Sequence, residues 1–120
     1  MTKDEITQMA FEIISNAGDG MDQYYGALID LKKNRTDLAK QKLEEGNKFL
    51  NKTHKIQTEL IQNEVNDEDI PYSLIMTHAQ DHLNSAINWQ RIVMLFLEEW
   101  VLERRKWVFH LNKSYEKVIK

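Results

Sequence analysis

Two histidines and a carboxylate stand close together in one stretch of this sequence, Thr77-His78-Ala79-Gln80-Asp81-His82-Leu83. Residues three and four apart on an α-helix lie on the same side, so His78 projects near both Asp81 and His82 if the stretch is helical. Imidazole and carboxylate groups on one side of a helix can supply a histidine nucleophile, a set of metal ligands, or both. The spacing alone leaves these chemistries open.

A single histidine on a helix more often packs or faces solvent than takes part in catalysis, and His54 and His110 are interpreted first in that way. The polar groups at 78–82 differ, because they recur on a stripe whose other positions are apolar and burial without partners is costly. A zinc hydrolase is disfavoured, although His78 and His82 have the spacing of metal ligands. The sequence lacks the glutamate of an HExxH site and contains no cysteine.

The composition is typical of a small intracellular protein. The 120 residues suffice for one domain with a modest core, and a net charge of -3 disfavours nucleic acid as a partner. The lack of cysteine excludes a disulfide framework and fits a reducing cytosol. The N-terminus lacks the apolar core of a signal peptide, and the most apolar run, 92–97, is too short to span a bilayer. We therefore expect a soluble, cytoplasmic chain with no direct membrane insertion.

The sequence contains only one proline and four glycines, so few residues interrupt a helix. This composition favours long helices. Asn34 can end one helix and Thr36 can cap the next, while Pro71 suits the first position of a third helix. These breaks predict a single domain over residues 1–120, with helices over about 1–34, 36–66 and 71–110, the last with a charged C-terminal extension. Short connections make neighbouring helices antiparallel, so the predicted fold is an all-α, antiparallel three-helix bundle.

Apolar and small residues spaced alternately four and three apart predict the buried face of each helix. In the first helix they are Ile6, Ala10, Ile13, Ala17, Gly20, Tyr24, Ala27 and Leu31. In the second they are Ala39, Leu43, Gly46, Leu50, Thr53, Gln57, Leu60 and Glu64. In the third they are Ile75, Ala79, His82, Ala86, Trp89, Val93, Phe96 and Trp100.

The long third helix carries a second stripe, which contains Leu74, His78, Asp81, Ser85, Asn88, Ile92 and Leu95. A helix with apolar residues on more than one face is usually buried on more than one face, because soluble monomers rarely keep large apolar patches exposed. We therefore expect the third helix to form both the core and an oligomer interface, with Asp81 in or beside the subunit contact.

Several sequence motifs resemble those of the lactose/cellobiose (chitobiose) enzyme IIA components of the bacterial sugar phosphotransferase system. They are Phe11-Glu12-Ile13-Ile14, Ala17-Gly18-Asp19, Thr53-His54-Lys55-Ile56-Gln57-Thr58, Pro71-Tyr72-Ser73 and His78-Ala79-Gln80-Asp81-His82-Leu83. The resemblance covers about the first 100 residues. It implies a trimer of three-helix subunits, which agrees with the surplus apolar face of the third helix.

The resemblance also implies roles for the polar residues. His78 matches the histidine that is transiently phosphorylated, and an imidazole with an ordinary pKa of ~6.5 is substantially neutral at cytosolic pH and can attack a phosphoryl group. Asp81 matches a carboxylate that binds one divalent ion on the trimer axis together with its two counterparts, and a hard cation such as Mg²⁺ suits such oxygen ligands. Gln80 and His82 are expected to orient the His78 ring or to donate to phosphate oxygens, and His54 and Gln57 can line the same pocket.

The implied mechanism is two successive phosphoryl transfers. Phosphorylated HPr donates to His78, which passes the group to a cysteine of enzyme IIB, and the membrane permease IIC completes the uptake of a β-linked disaccharide. Positioning and charge stabilisation dominate such transfers, because little other covalent chemistry is required of the protein.

Two features depart from the family pattern. Asn84 stands where a methionine commonly follows the histidine motif, and the segment from Trp100 to Lys120 continues beyond the end of many members. We interpret that segment as a helix extension with a solvated charged face, with an extra protein-docking surface as the alternative.

Two alternatives to the carrier remain open. One is a non-catalytic helical scaffold or regulatory protein that retains the IIA fold. The other is a metal-binding bundle with His78, Asp81 and His82 as its ligands.

Overall fold

The computed structural model describes residues 1–119, apart from the side chain of Tyr115, and consists of three α-helices. They are α1 (Lys3–Lys32), α2 (Thr36–Val65) and α3 (Leu74–Ile119). Contacts between α1 and α2 pair position 20 with position 46 and position 26 with position 42, so these two helices are antiparallel. Contacts between α2 and α3 pair 57 with 80 and 47 with 90, so this pair is antiparallel too. The predicted antiparallel bundle is confirmed.

Local signals define the first two helices. The Thr2 side chain accepts a hydrogen bond of 3.1 Å from the Glu5 backbone N–H, which caps α1 as its Thr-x-x-Glu sequence predicts. Asn34, with φ of 59°, reverses the chain in the left-handed region, where asparagine is tolerated. The prediction that Thr36 caps α2 is wrong. Arg35 occupies the N-cap position without a side-chain hydrogen bond, and Thr36 is already helical.

The predicted start of the third helix at Pro71 is also wrong. Residues 66–73 form a connection in which Asp67 adopts a φ of 60°, and α3 begins at Leu74. The Ser73 hydroxyl accepts a hydrogen bond of 3.2 Å from the Met76 N–H, which provides a cap two residues after the proline. At its other end α3 continues to Ile119, beyond the predicted end at 110.

The core matches the sequence pattern best on α1, where all eight predicted residues are buried. Asp30 joins them as an unpredicted buried carboxylate, which lies 2.7 Å from the Lys42 ammonium and 3.9 Å from the Arg35 guanidinium. On α2 five of the eight predicted positions are buried, Leu43 and Gln57 are half-buried and Glu64 is exposed. The four-three spacing therefore identified the seam between α1 and α2, and Glu64, near the C-terminal end of α2, is the one predicted position on these helices that is exposed.

The predicted buried face of α3 is partly wrong. Ala79, Ala86 and Val93 are buried as predicted, but Trp89 and Phe96 are exposed. Met76 and Leu83 are buried, although the prediction placed their sequence neighbours on the buried face instead. The second stripe is exposed along its whole length, at Leu74, His78, Asp81, Ser85, Asn88, Ile92 and Leu95. One face of α3 therefore packs on the other two helices, while the face with the candidate site stays open.

Polar residues join the three helices near the middle of the bundle. The Tyr24 hydroxyl donates to the Asn47 side-chain oxygen at 2.8 Å, and the Gln90 amide donates to the same oxygen at 2.8 Å. Burial raises the pKa of Tyr24 to about 12, an effect reduced by the nearby Gln90 side chain. Gly46 lets α2 approach closely, because a Cβ at this position would overlap the Tyr24 ring.

Candidate functional site

The candidate site lies in the first turns of α3, directly after the Ser73 cap. Met76 and Ala79 are buried on the bundle side of these turns, which directs His78 and Asp81 toward solvent. Both side chains are exposed, and His82 is half-buried. Buried anchors on a capped helix give the exposed imidazole a fixed position while leaving it open to a macromolecular partner.

His78 and His82 contact each other through their rings. Their Nε2 atoms lie 3.1 Å apart, and the ring planes meet nearly edge to face at 83° with the centroids 4.6 Å apart. In the neutral pair one Nε2 carries a proton and donates while the other accepts. His82 is therefore placed to limit the rotation of the His78 ring and to select its tautomer, which is compatible with the orienting role expected of it.

Gln80 is directed to α2 rather than to His78. Its amide nitrogen donates to the Gln57 side-chain oxygen at 2.8 Å and lies 3.3 Å from the Met76 sulfur. This hydrogen bond fixes the start of α3 against α2, so Gln80 supports the site through the helix. Gln57, named as a possible pocket residue, lies in this interhelical contact.

The other two histidines have different positions. His54 is exposed on α2, one turn before Gln57, whereas His110 lies in the extension of α3, roughly 48 Å along the helix from His78. The expectation that His110 stands apart from the site is consistent with this separation. Because His78 and Asp81 are exposed, a substrate would meet them at an open surface.

The metal-binding alternative depends on how the possible ligands are arranged. Within residues 1–119, no group of three His, Asp or Glu side chains could hold an ion. The three-ligand site built from His78, Asp81 and His82 of one chain is therefore not supported. A single exposed Asp81 fits a shared site, since carboxylate oxygens suit Mg²⁺ and other copies of the chain would have to supply the remaining ligands.

The comparisons with known proteins agree with the three-helix architecture. The model of the family described as "PTS system, Lactose/Cellobiose specific IIA subunit" matches residues 8–100. The chain belongs to this family. Its match includes both histidines of the site and ends where the extension of α3 begins.

Individual relatives are similar over most of their length. The lactose-specific EIIA component of Staphylococcus epidermidis is 40% identical over 72% of this chain and 84% of its own. The lichenan-specific phosphotransferase enzyme IIA component of Bacillus subtilis is 36% identical over 85% of this chain and 94% of its own. The crystal structure of PtcA from S. mutans superposes with a TM-score of 0.81 at 35% identity, over 83% of this chain and 98% of that one. This chain is therefore a lactose/cellobiose-type IIA component of the sugar phosphotransferase system.

Among residues 1–119, no helix is both long and apolar enough to cross a membrane.

Proposed function

We propose that this IIA component is a cytoplasmic phosphocarrier that accepts a phosphoryl group from phosphorylated HPr on His78 and passes it to the cysteine of an enzyme IIB. The observation that carries the proposal is the exposed His78 ring held at 3.1 Å by His82, within the segment that the family model matches. Transport and phosphorylation of a β-linked disaccharide of the lactose, cellobiose or chitobiose type through the permease IIC would follow.

The chemistry requires one nucleophilic nitrogen and an open approach. A neutral imidazole nitrogen of His78 attacks the phosphorus in line with the phosphohistidine nitrogen of HPr, the bond to that nitrogen breaks, and a phosphoramidate forms on His78. Attack by the IIB thiolate then breaks the new P–N bond and restores the imidazole. His82 keeps the ring oriented during both steps, and the open surface admits each partner in turn.

We further propose that the chain acts as a homotrimer through the exposed stripe of α3. The stripe combines Ile92 and Leu95, which are 41% and 59% exposed, with polar Asp81, Ser85 and Asn88. Parallel packing of three such stripes would bring the three Asp81 carboxylates together. A divalent ion, expected to be Mg²⁺, would relieve their repulsion and thereby support assembly.

The relay can be tested with purified enzyme I, HPr, this chain and IIB, with phosphoenolpyruvate as the donor. We expect IIB to become phosphorylated only when the chain is present, and His78→Ala to leave the phosphoryl group on HPr. His110→Ala, which changes an exposed histidine on the distant extension of α3, serves as the matched control and should sustain transfer. If the chain binds its partners but never transfers the phosphoryl group to IIB, the scaffold alternative is correct instead.

A further inference from the structure

A hollow of 390 Å³ lies where the start of α2 meets α3, away from the candidate site. Basic and aliphatic side chains and one hydroxyl line it, and they come from Thr36, Lys40, Val101, Arg104, Arg105 and Val108. No carboxylate lines it among the residues that the structure describes. We call this site the basic hollow. Its size suits a small molecule, since ligand pockets measure about 300–1,000 Å³.

The basic hollow faces away from the proposed trimer interface. Arg104 follows the buried Ala86 by eighteen residues, which is five full turns, so it lies on the line of α3 that packs on α1 and α2. The trimer stripe runs instead through Leu95 and reaches Leu102 seven residues later. A parallel trimer would therefore leave one basic hollow on the outer side of each subunit, and it would bring the three basic ends of α3 together.

The basic side chains of the hollow have no carboxylate partners. Within residues 1–119, none of Lys40, Arg104 and Arg105 forms an ion pair. Asp37 borders an adjoining hollow, and the Glu103 carboxylate lies 3.6 Å from the Lys106 ammonium instead. Three like charges around one hollow repel one another, and an anion bound between them would relieve this repulsion.

The start of α2 adds unused hydrogen-bond donors at the same place. The Thr36 Oγ1 atom is buried and has no hydrogen-bond partner within the described part of the chain. Because threonine in a helix populates two χ1 rotamers, this hydroxyl can turn to a bound group. The adjoining hollow shares Thr36 and Arg104 with the basic hollow and adds the Arg35 side chain, which makes no capping hydrogen bond. The site therefore offers donors of several kinds, which suit an oxyanion.

We propose that the basic hollow binds the phosphate group of a small phosphate monoester. Such a group carries a charge of about -1.5 to -2 near neutral pH and has three acceptor oxygens. The planar Arg104 guanidinium can donate two parallel hydrogen bonds to it, and Lys40 and Thr36 supply further donors. The aliphatic side chains of Val101 and Val108 suit the carbon part of the ligand, so a monoester fits better than inorganic phosphate.

The proposed binding is separate from the carrier reaction. Arg104 follows His78 by twenty-six residues on α3, which corresponds to roughly 39 Å of helix. A ligand in the basic hollow would therefore leave the His78 ring exposed to its partners. Binding requires neither phosphorylation of His78 nor assembly of the trimer.

The proposal can be tested by titrating the nitrogen-15-labelled full chain with phenyl phosphate at constant ionic strength and following the amide chemical shifts. We expect saturable shifts in residues 36–40 and 101–108, and weaker binding of inorganic phosphate. Arg104→Gln should raise the Kd about 10- to 100-fold, because charge-assisted hydrogen bonds are lost. Thr36→Val should raise it about 2- to 10-fold, and Thr36→Ser should bind like the wild type.

Arg91→Gln is the matched control, because it removes the same charge from an exposed arginine of α3 outside the basic hollow. It should bind phenyl phosphate like the wild type, and circular dichroism would verify that each variant stays helical. Absence of saturable shifts, shifts that sodium chloride reproduces, or equal Kd values for Arg91→Gln and Arg104→Gln would overturn the proposal. Tighter binding of a phosphoserine peptide than of phenyl phosphate would overturn the small-molecule assignment. Phosphorylation of His78, measured in parallel, reports on the carrier function separately.

Discussion

The Nε2 atoms of His78 and His82 lie 3.1 Å apart on successive turns of α3. The contact involves Nε2 of His78, and the other ring nitrogen, Nδ1, takes no part in it. In the neutral pair, the tautomer therefore decides whether Nδ1 of His78 carries the proton or a free lone pair. In the proposed carrier, an exposed nucleophile that meets two protein partners would benefit from this restriction, since neither partner would have to order the ring first.

Loss of the His82 contact should slow phosphoryl transfer without abolishing it. We expect His82→Ala to reduce the rate of phosphorylation by HPr about 10- to 100-fold, because the His78 ring then samples unproductive orientations. His82→Gln should recover part of the rate, since its amide can donate to an imidazole nitrogen. Rapid-quench kinetics would measure both, with His110→Ala on the distant extension as the control. Equal rates in all four proteins would remove His82 from the mechanism.

Asp81 should control the metal dependence of assembly. In the proposed trimer three carboxylates converge, so we expect EDTA to weaken wild-type association about tenfold, equivalent to ~1.4 kcal/mol. Asp81→Asn removes the repulsion, and its association should no longer respond to EDTA or Mg²⁺. Sedimentation velocity at several concentrations would show this, with Asp19→Asn, an exposed change on α1, as the comparison. A wild-type chain that remains monomeric throughout would contradict the trimer.

Gly46 should tolerate no side chain, whereas Gly18 should. A Cβ at Gly46 would overlap the Tyr24 ring and lie 2.8 Å from its Cδ1, while a Cβ at Gly18 would meet nothing within 4 Å. We expect Gly46→Ala to lower the free energy of unfolding by about 1–3 kcal/mol, and Gly18→Ala to raise it by about 0.5–1 kcal/mol through better helix propensity. Urea denaturation would compare them. Equal effects would mean that close packing at Gly46 does not limit the fold.

Tyr24 should make stability fall at high pH. Its folded pKa of about 12 exceeds the ordinary value of 10.0, so folding favours the protonated phenol. The associated stability, of order 2 kcal/mol, is complete below pH ~10 and is lost as the pH rises toward ~12. Tyr24→Phe loses the hydrogen bond to Asn47 but should show a flatter decline over this range. Denaturation at pH 8 and pH 11 would test it, and parallel declines would exclude Tyr24 as the cause.

The sequence predicted the fold well where a single periodicity applied. Every predicted core position on α1 is buried, because that helix packs through one face. Prediction was weaker on α3, whose apolar residues cover several faces, so that Trp89 and Leu83 were indistinguishable by pattern. The start of α3 was misplaced because Pro71 and Ser73 both suit a helix beginning, and the serine hydroxyl decided it.

The contacts of the candidate site were also predicted only in part. The four-residue spacing of His78 and His82 predicted their proximity, which the structure places within hydrogen-bonding distance. The pairing of Gln80 with Gln57 was not predicted, because the relative rotation of α2 and α3 sets it. The buried Asp30 was missed since a lone aspartate gives no sign of burial, although Lys42 and Arg35 lie within reach as its charge partners.

The most direct test of the carrier role is intact-mass measurement after incubation with phosphoenolpyruvate, enzyme I and HPr. We expect one acid-labile phosphoryl adduct on the wild type and on His110→Ala, and no adduct on a folded His78→Ala. Absence of the adduct from the wild type while HPr is itself phosphorylated would contradict it. So would an adduct that persists in His78→Ala.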